Sequence, residues 1–99
     1  MRIYEHRTST TISSGSTATV SLNVLGGILR QVIVRALTSN TTAFRTNLVD
    51  ASLLTRKNWG FHRGEINDDV AIPVSGRLTL NITNVSPDDV FAIYLGVQE

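Results

Sequence analysis

The stretch GRLTLNITNVSPDDVFAIYLGVQE, residues 76–99, decides the fold class. Leu78, Leu80 and Ile82 alternate with Arg77, Thr79, Asn81 and Thr83, which is the period of a strand with one apolar face and one wet face. Ser86, Pro87, Asp88 and Asp89 break the alternation, and proline suits the second position of a type I turn. Phe91, Ile93, Leu95 and Val97 then resume it. Two alternating segments joined by a short turn form a unit of antiparallel sheet, and the same pattern recurs upstream.

Ala18, Val20, Leu22 and Val24 make a second clean strand, ending at Gly26-Gly27, which marks a turn or a close backbone approach. Ile28 to Leu37 is apolar at both parities, as expected of a central strand with one face partly covered by something else. Ser39 to Thr42 reads as a loop, and Ala43 to Val49 as a strand with Phe44 and Leu48 pointing inward. Asp50 to Leu54 reads as a connection or a single helical turn. Arg56 to Gly64 reads as a basic, aromatic loop, Asn67 to Asp69 as a turn, Val70 to Val74 as a short strand and Ser75-Gly76 as another turn. No window carries a sustained helical period. About seven short strands at regular spacing predict an all-β protein, a two-sheet antiparallel β-sandwich of Ig-like or jelly-roll type. Residues 1–11 are expected to form an extended N-terminal arm, and residues 12–99 the single sandwich domain.

Ninety-nine residues suffice for one domain with its own core. There is no cysteine, so neither disulfides nor thiolate metal sites hold the chain together. That fits assembly in a reducing cytoplasm. No signal peptide or apolar spanning segment is evident, so no membrane partner is expected. A net charge of +1 gives no general pull toward nucleic acid. The charges are nonetheless unusual. Charged residues make up 17% of the chain, against about 25% in a typical soluble domain. Lys57 is the only lysine among nine basic residues. Protein interfaces favour arginine over lysine, whereas exposed strand edges are commonly guarded by lysine. A surface poor in charge and lysine is what a subunit of an assembly would show.

Catalytic chemistry is hard to place. His6 and His62 are the only histidines, and no serine sits in a glycine-framed elbow. The doublets Asp68-Asp69 and Asp88-Asp89 lack the alternate spacing of a dedicated calcium loop and fit turn positions. No enzyme activity, cofactor or metal is therefore expected. The Arg56 to Gly64 segment interleaves basic residues with Trp59 and Phe61. Such a segment can anchor a protein partner, stack on single-stranded bases, or fold an aromatic back to plug the open end of the sandwich. A sugar-binding platform made of Trp59 and Phe61 is a further reading.

Leu80, Ile82, Val85, Pro87 and Asp89 resemble the E–F segment of an immunoglobulin variable domain, although Ile93 and Leu95 replace its corner tyrosine and second cysteine. A second resemblance covers most of the chain. It runs through the serine- and threonine-rich start, Gly26 to Val32, Phe44, Gly64 to Asp68, Ile72-Pro73-Val74 with Gly76, Asn81 to Asn84, and Asp88 to Phe91. In these features the chain is similar to small virion proteins of tailed bacteriophages, several of which are capsid decoration (cement) proteins and others tail components. That resemblance implies a virion location on the capsid surface and many copies, often as a homo-oligomer such as a trimer. The implied partners are the major capsid protein, or otherwise tail proteins or the host surface. The residues expected to touch a neighbour are Arg2, Tyr4 and Arg7 of the arm and Arg56, Trp59 and Arg63 of the aromatic segment.

Overall fold

Two strands far longer than the alternation predicts create the architecture. The computed structural model describes residues 3–99, which form six strands and no helix. They are β1 (Ile3–Ile12), β2 (Ala18–Ala36), β3 (Ala43–Val49), β4 (Thr55–Arg63), β5 (Glu65–Ser86) and β6 (Asp89–Gln98). All pairings are antiparallel, in the order β1-β6-β2-β5-β3-β4. At 19 and 22 residues, β2 and β5 are several times the usual five or six. Their first pairing joins Ala18–Val24 to Gly76–Ile82, and their second joins Gly27–Arg35 to Glu65–Val74. β6 joins only the second half of β2, and β3 joins only the second half of β5. Hence β2 and β5 pass through both layers of the protein. One layer is β1-β6-β2-β5 and the other is β2-β5-β3-β4.

The register breaks between Val24 and Gly27, opposite Val74 to Gly76, and there the long hairpin turns from one layer into the other. Gly27 is needed at this bend because a Cβ would collide with the carbonyl oxygen of Gln98. Gly76 is needed because its φ is +77°, a conformation that costs an L-residue strain. The layers close on one another. Phe44 on β3 and Phe91 on β6 are separated by two intervening strands in the sheet order, yet their rings meet edge-to-face at 5.2 Å. The shortest dimension, 18 Å, is what two layers about 10 Å apart require.

Between the layers lies one core. Val32, Val34, Leu80, Ile82, Leu95 and Val97 fill it alongside the two phenylalanines, from the inward parity of each strand. The loop from β2 to β3 is tied to this core by Asp89. Its carboxylate accepts hydrogen bonds from Thr38 N (3.0 Å), the Thr38 hydroxyl, Val90 N (2.7 Å) and Thr42 Oγ1 (2.7 Å). Burial would push this acid up, but the four donors outweigh it and hold its pKa at about 2. The other aspartate of this doublet, Asp88, accepts the Ser14 N–H at 2.5 Å, pinning the β1–β2 turn to the β5–β6 turn.

Several expectations are corrected. The N-terminal segment is extended, but residues 3–12 run in unbroken register along β6 from Ile3–Gln98 to Ile12–Asp89, so the arm is an edge strand of the sheet. The expected loop at Arg56–Gly64 is mostly strand β4, paired with β3. Asn67 to Asp69 are not a turn but pair with Ile33, Val32 and Gln31 inside β5. Ser75-Gly76 is a bend within β5, not a turn between strands. The Ser86-Pro87 turn falls where expected, but its peptide bond is cis rather than that of a type I turn.

Candidate functional site

The sequence-predicted contact residues fall on the two edge strands, at opposite ends of the strand order. They do not converge on one site. Arg2 lies outside the described residues.

On β1, Tyr4 and Arg7 occupy opposite faces because their parities differ. The even residues of β1 lean toward the core side and are progressively covered toward the buried Ile12. The odd residues lie on the outer face, where Arg7 sits 4.7 Å above the ring of Tyr94. Tyr94 in turn donates its hydroxyl to Glu5 Oε1 at 3.0 Å and covers the bare backbone of Gly96. Burial, reinforced by the Glu5 carboxylate, raises the Tyr94 phenol above its ordinary 10.0. Glu5 and Arg7 themselves lie 3.4 Å apart and are largely exposed.

On β4, a bulge decides which aromatic is presented. Thr46 pairs with Gly60 and Asn47 with Asn58, leaving Trp59 unpaired between them. Trp59 is thereby turned toward the core, against which it is partly buried, and donates Nε1–H to Asp68 Oδ2 at 2.7 Å. Phe61 stays half exposed, with the Arg63 guanidinium 5.3 Å from its ring centre. Arg63 also donates to Thr41 O at 3.5 Å. Arg56 lies 3.5 Å from Asp50, whose carboxylate accepts the N–H groups of Ser52 and Leu54. The Leu54 N–H is the main reason Asp50 stays below its ordinary pKa, against desolvation, with Ser52 and Arg56 adding to it. These contacts close the β3–β4 loop into a knob that carries the exposed Leu53 and Leu54.

Two further surface features stand out. One is the leucine knob, which alternation could not find because it lies in a turn. The other is an apolar depression of about 240 Å³ on the outer face, lined by Ile33, Leu37, Ala92 and Tyr94 between Arg7 and Arg35. Its signal was the two-parity apolar pattern of Ile28 to Leu37. The depression is shallow, and Arg35 at its rim is already paired with Glu65 at 2.6 Å.

No nucleophile–base pair is assembled on either edge. His62 Nε2 is engaged by the Trp59 carbonyl at 2.9 Å, and His6 is half-buried on β1. Among the described residues, no group of three or more histidine or acidic side chains gathers as a metal site would require.

The two edges differ physically. β1 is ten residues long with no register shift, no lysine and no proline. β4 has two register shifts against β3, carries Lys57, and contains Gly60 at φ +70°.

No protein-family model and no curated protein match the chain. Among solved structures, it is similar to the crystal structure of Aeromonas hydrophila PliG, a periplasmic lysozyme inhibitor of g-type lysozyme. The TM-score is 0.60 at 13% identity, over 95% of this chain and 86% of that one. An identity this low bears on the fold alone, and it agrees with the all-β architecture.

Proposed function

We propose that the chain is a non-enzymatic structural subunit of a tailed-bacteriophage virion, a capsid decoration protein that clamps neighbouring coat subunits. The observation that carries this reading is the pair of strand edges, β1 and β4, at the two ends of one folded sheet. A clamp needs two separate surfaces, and a free edge can bind an extended partner by strand addition. The arginine-rich, lysine-poor surface supports such contacts, as does the similarity of the sequence to small virion proteins. PliG is by its name an inhibitor of a lysozyme, so a similar scaffold serves protein binding there. On this reading the capsid contacts are Tyr4 and Arg7 at one end and Arg56, Phe61 and Arg63 at the other, while Trp59 holds the second edge in shape. A specific contact buries about 800 Å² per partner, and many weak contacts on one particle reinforce each other.

The test is to mix purified protein with empty expanded phage capsids lacking it and to image the particles by electron microscopy. Regularly spaced density at symmetric sites is the expected result. Bare capsids, with the protein shown folded by circular dichroism, would overturn the decoration role. Binding to tail proteins or host cells would then favour a tail module instead.

A further inference from the structure

Sheet edges left open are hazards unless something covers them, and natural proteins blunt them with lysine, proline, bulges or short length. β4 has a lysine and two register shifts. β1 has no lysine, proline or register shift over its ten residues, its two charges, Glu5 and Arg7, offset each other, and among the described residues nothing pairs with its outer side. It is also rich in strand-favouring residues, with Ile3 and Tyr4 left substantially exposed at its start. An edge of this kind is built to be paired.

The charges on β1 say with what. Its only strongly charged residues, Glu5 and Arg7, share the outer face two positions apart. If two copies of the strand meet antiparallel about a two-fold axis, the core side must stay on one side of the joined sheet. Registers can then change only in steps that keep odd residues opposite odd residues, because a one-residue slip would turn every side chain over. An axis through residue 5 sets Glu5 against its own copy, and an axis through residue 7 sets Arg7 against its own copy. Both place like charges directly opposite, which is destabilising. An axis through residue 8 leaves both charges facing hydroxyl side chains. The axis through His6 alone sets Glu5 opposite Arg7 twice, once on each side, with Tyr4 facing Thr8 and Ile3 facing Ser9.

We infer that two copies of this chain join β1 to β1 in that register, making one continuous sheet with Glu5 of each copy opposite Arg7 of the other. The joint is isologous, as two-fold dimers are, and it leaves β4 and the leucine knob free on both copies for another partner. It does not depend on the virion reading, but it takes up the β1 edge, so on a capsid the two clamping surfaces would be the β4 edges of the two copies rather than β1 and β4 of one.

Sedimentation equilibrium of the full chain across the micromolar range tests it. The wild type associates to a dimer. Glu5→Arg weakens the dimer by tenfold or more, roughly, because two attractive pairs become repulsive. Adding Arg7→Glu to Glu5→Arg reverses both charges and restores the dimer. A second measurement leaves the charges untouched. The chain has no cysteine, so a single His6→Cys places a thiol against its own copy on the axis and links the dimer under mild oxidation. Ser9→Cys is displaced from its copy by about 20 Å and does not link. A protein that stays monomeric throughout overturns the inference. So does a dimer indifferent to Glu5→Arg, a charge reversal that fails to restore it, or cross-linking at position 9 as fast as at position 6.

Discussion

Replacing Asp89 with asparagine removes the charge from the most enclosed acid of the protein while keeping its shape. The wild-type carboxylate is 4% exposed and accepts four hydrogen bonds, from Thr38 N and Oγ1, Thr42 Oγ1 and Val90 N. An asparagine can keep the Oδ1 contacts, but its amide nitrogen must then face the Thr42 hydroxyl. The lost charge assistance can be sized from the acid itself. The gap between an ordinary 3.8 and about 2 corresponds to roughly 2 kcal/mol. The folded-state value is the depressed one, so this stability is fully present above pH 3.8 and is lost as the pH falls toward 2. Urea denaturation at neutral pH should therefore show Asp89→Asn less stable by about 2 kcal/mol, a midpoint shift of about 1–2 M for a domain of this size. Repeating the titration down to pH 2 should bring the two proteins together, because protonated Asp89 and asparagine are alike. A difference that stays constant with pH, or a variant as stable as wild type at neutral pH, would refute the assignment of this network.

Three further substitutions test the packing. Thr46 Oγ1 is buried in the core with no hydrogen-bond partner, so Thr46→Val keeps the volume, removes an unsatisfied hydroxyl and should raise stability by about 1 kcal/mol in the same urea assay. Trp59→Phe keeps most of the apolar contact but loses the bond to Asp68, and a cost of about 1–2 kcal/mol is expected. Because Trp59 is the only tryptophan, the wild-type fluorescence should also shift to the red on unfolding. Gly27→Ala should cost about 2 kcal/mol or more in thermal and urea melts, since its methyl group would meet the backbone of Gln98, which cannot rotate away as a side chain can.

The surroundings of the expected contact residues were only partly legible in the sequence. Of the residues expected to touch a neighbour, Tyr4, Arg7, Arg56 and Arg63 are exposed. Trp59 turned inward because of a single extra residue in β4, and a bulge leaves no mark in the alternation when glycine and asparagine surround it. Arg56 lies beside Asp50, a neighbour six residues away across a turn whose form the sequence leaves open.

Alternation by itself determined which residues face the core. Leu78, Leu80, Ile82, Phe91, Ile93, Leu95 and Val97 are buried as their parity requires, because side-chain direction along a strand is a local property of the backbone. It also determined the all-β, antiparallel class. What tertiary structure decided was pairing. Residues 3–12 look like a polar arm until Asp89 to Gln98 are brought beside them from the far end of the sequence. Gly26-Gly27 and Ser75-Gly76 look like turns until each is set opposite the other, where together they let two long strands bend from one layer into the next. Asp68 and Asp69 look like a turn pair until β2 supplies their ladder. Pairing depends on contacts between distant segments, and a periodicity read within a window of a few residues carries no information about them.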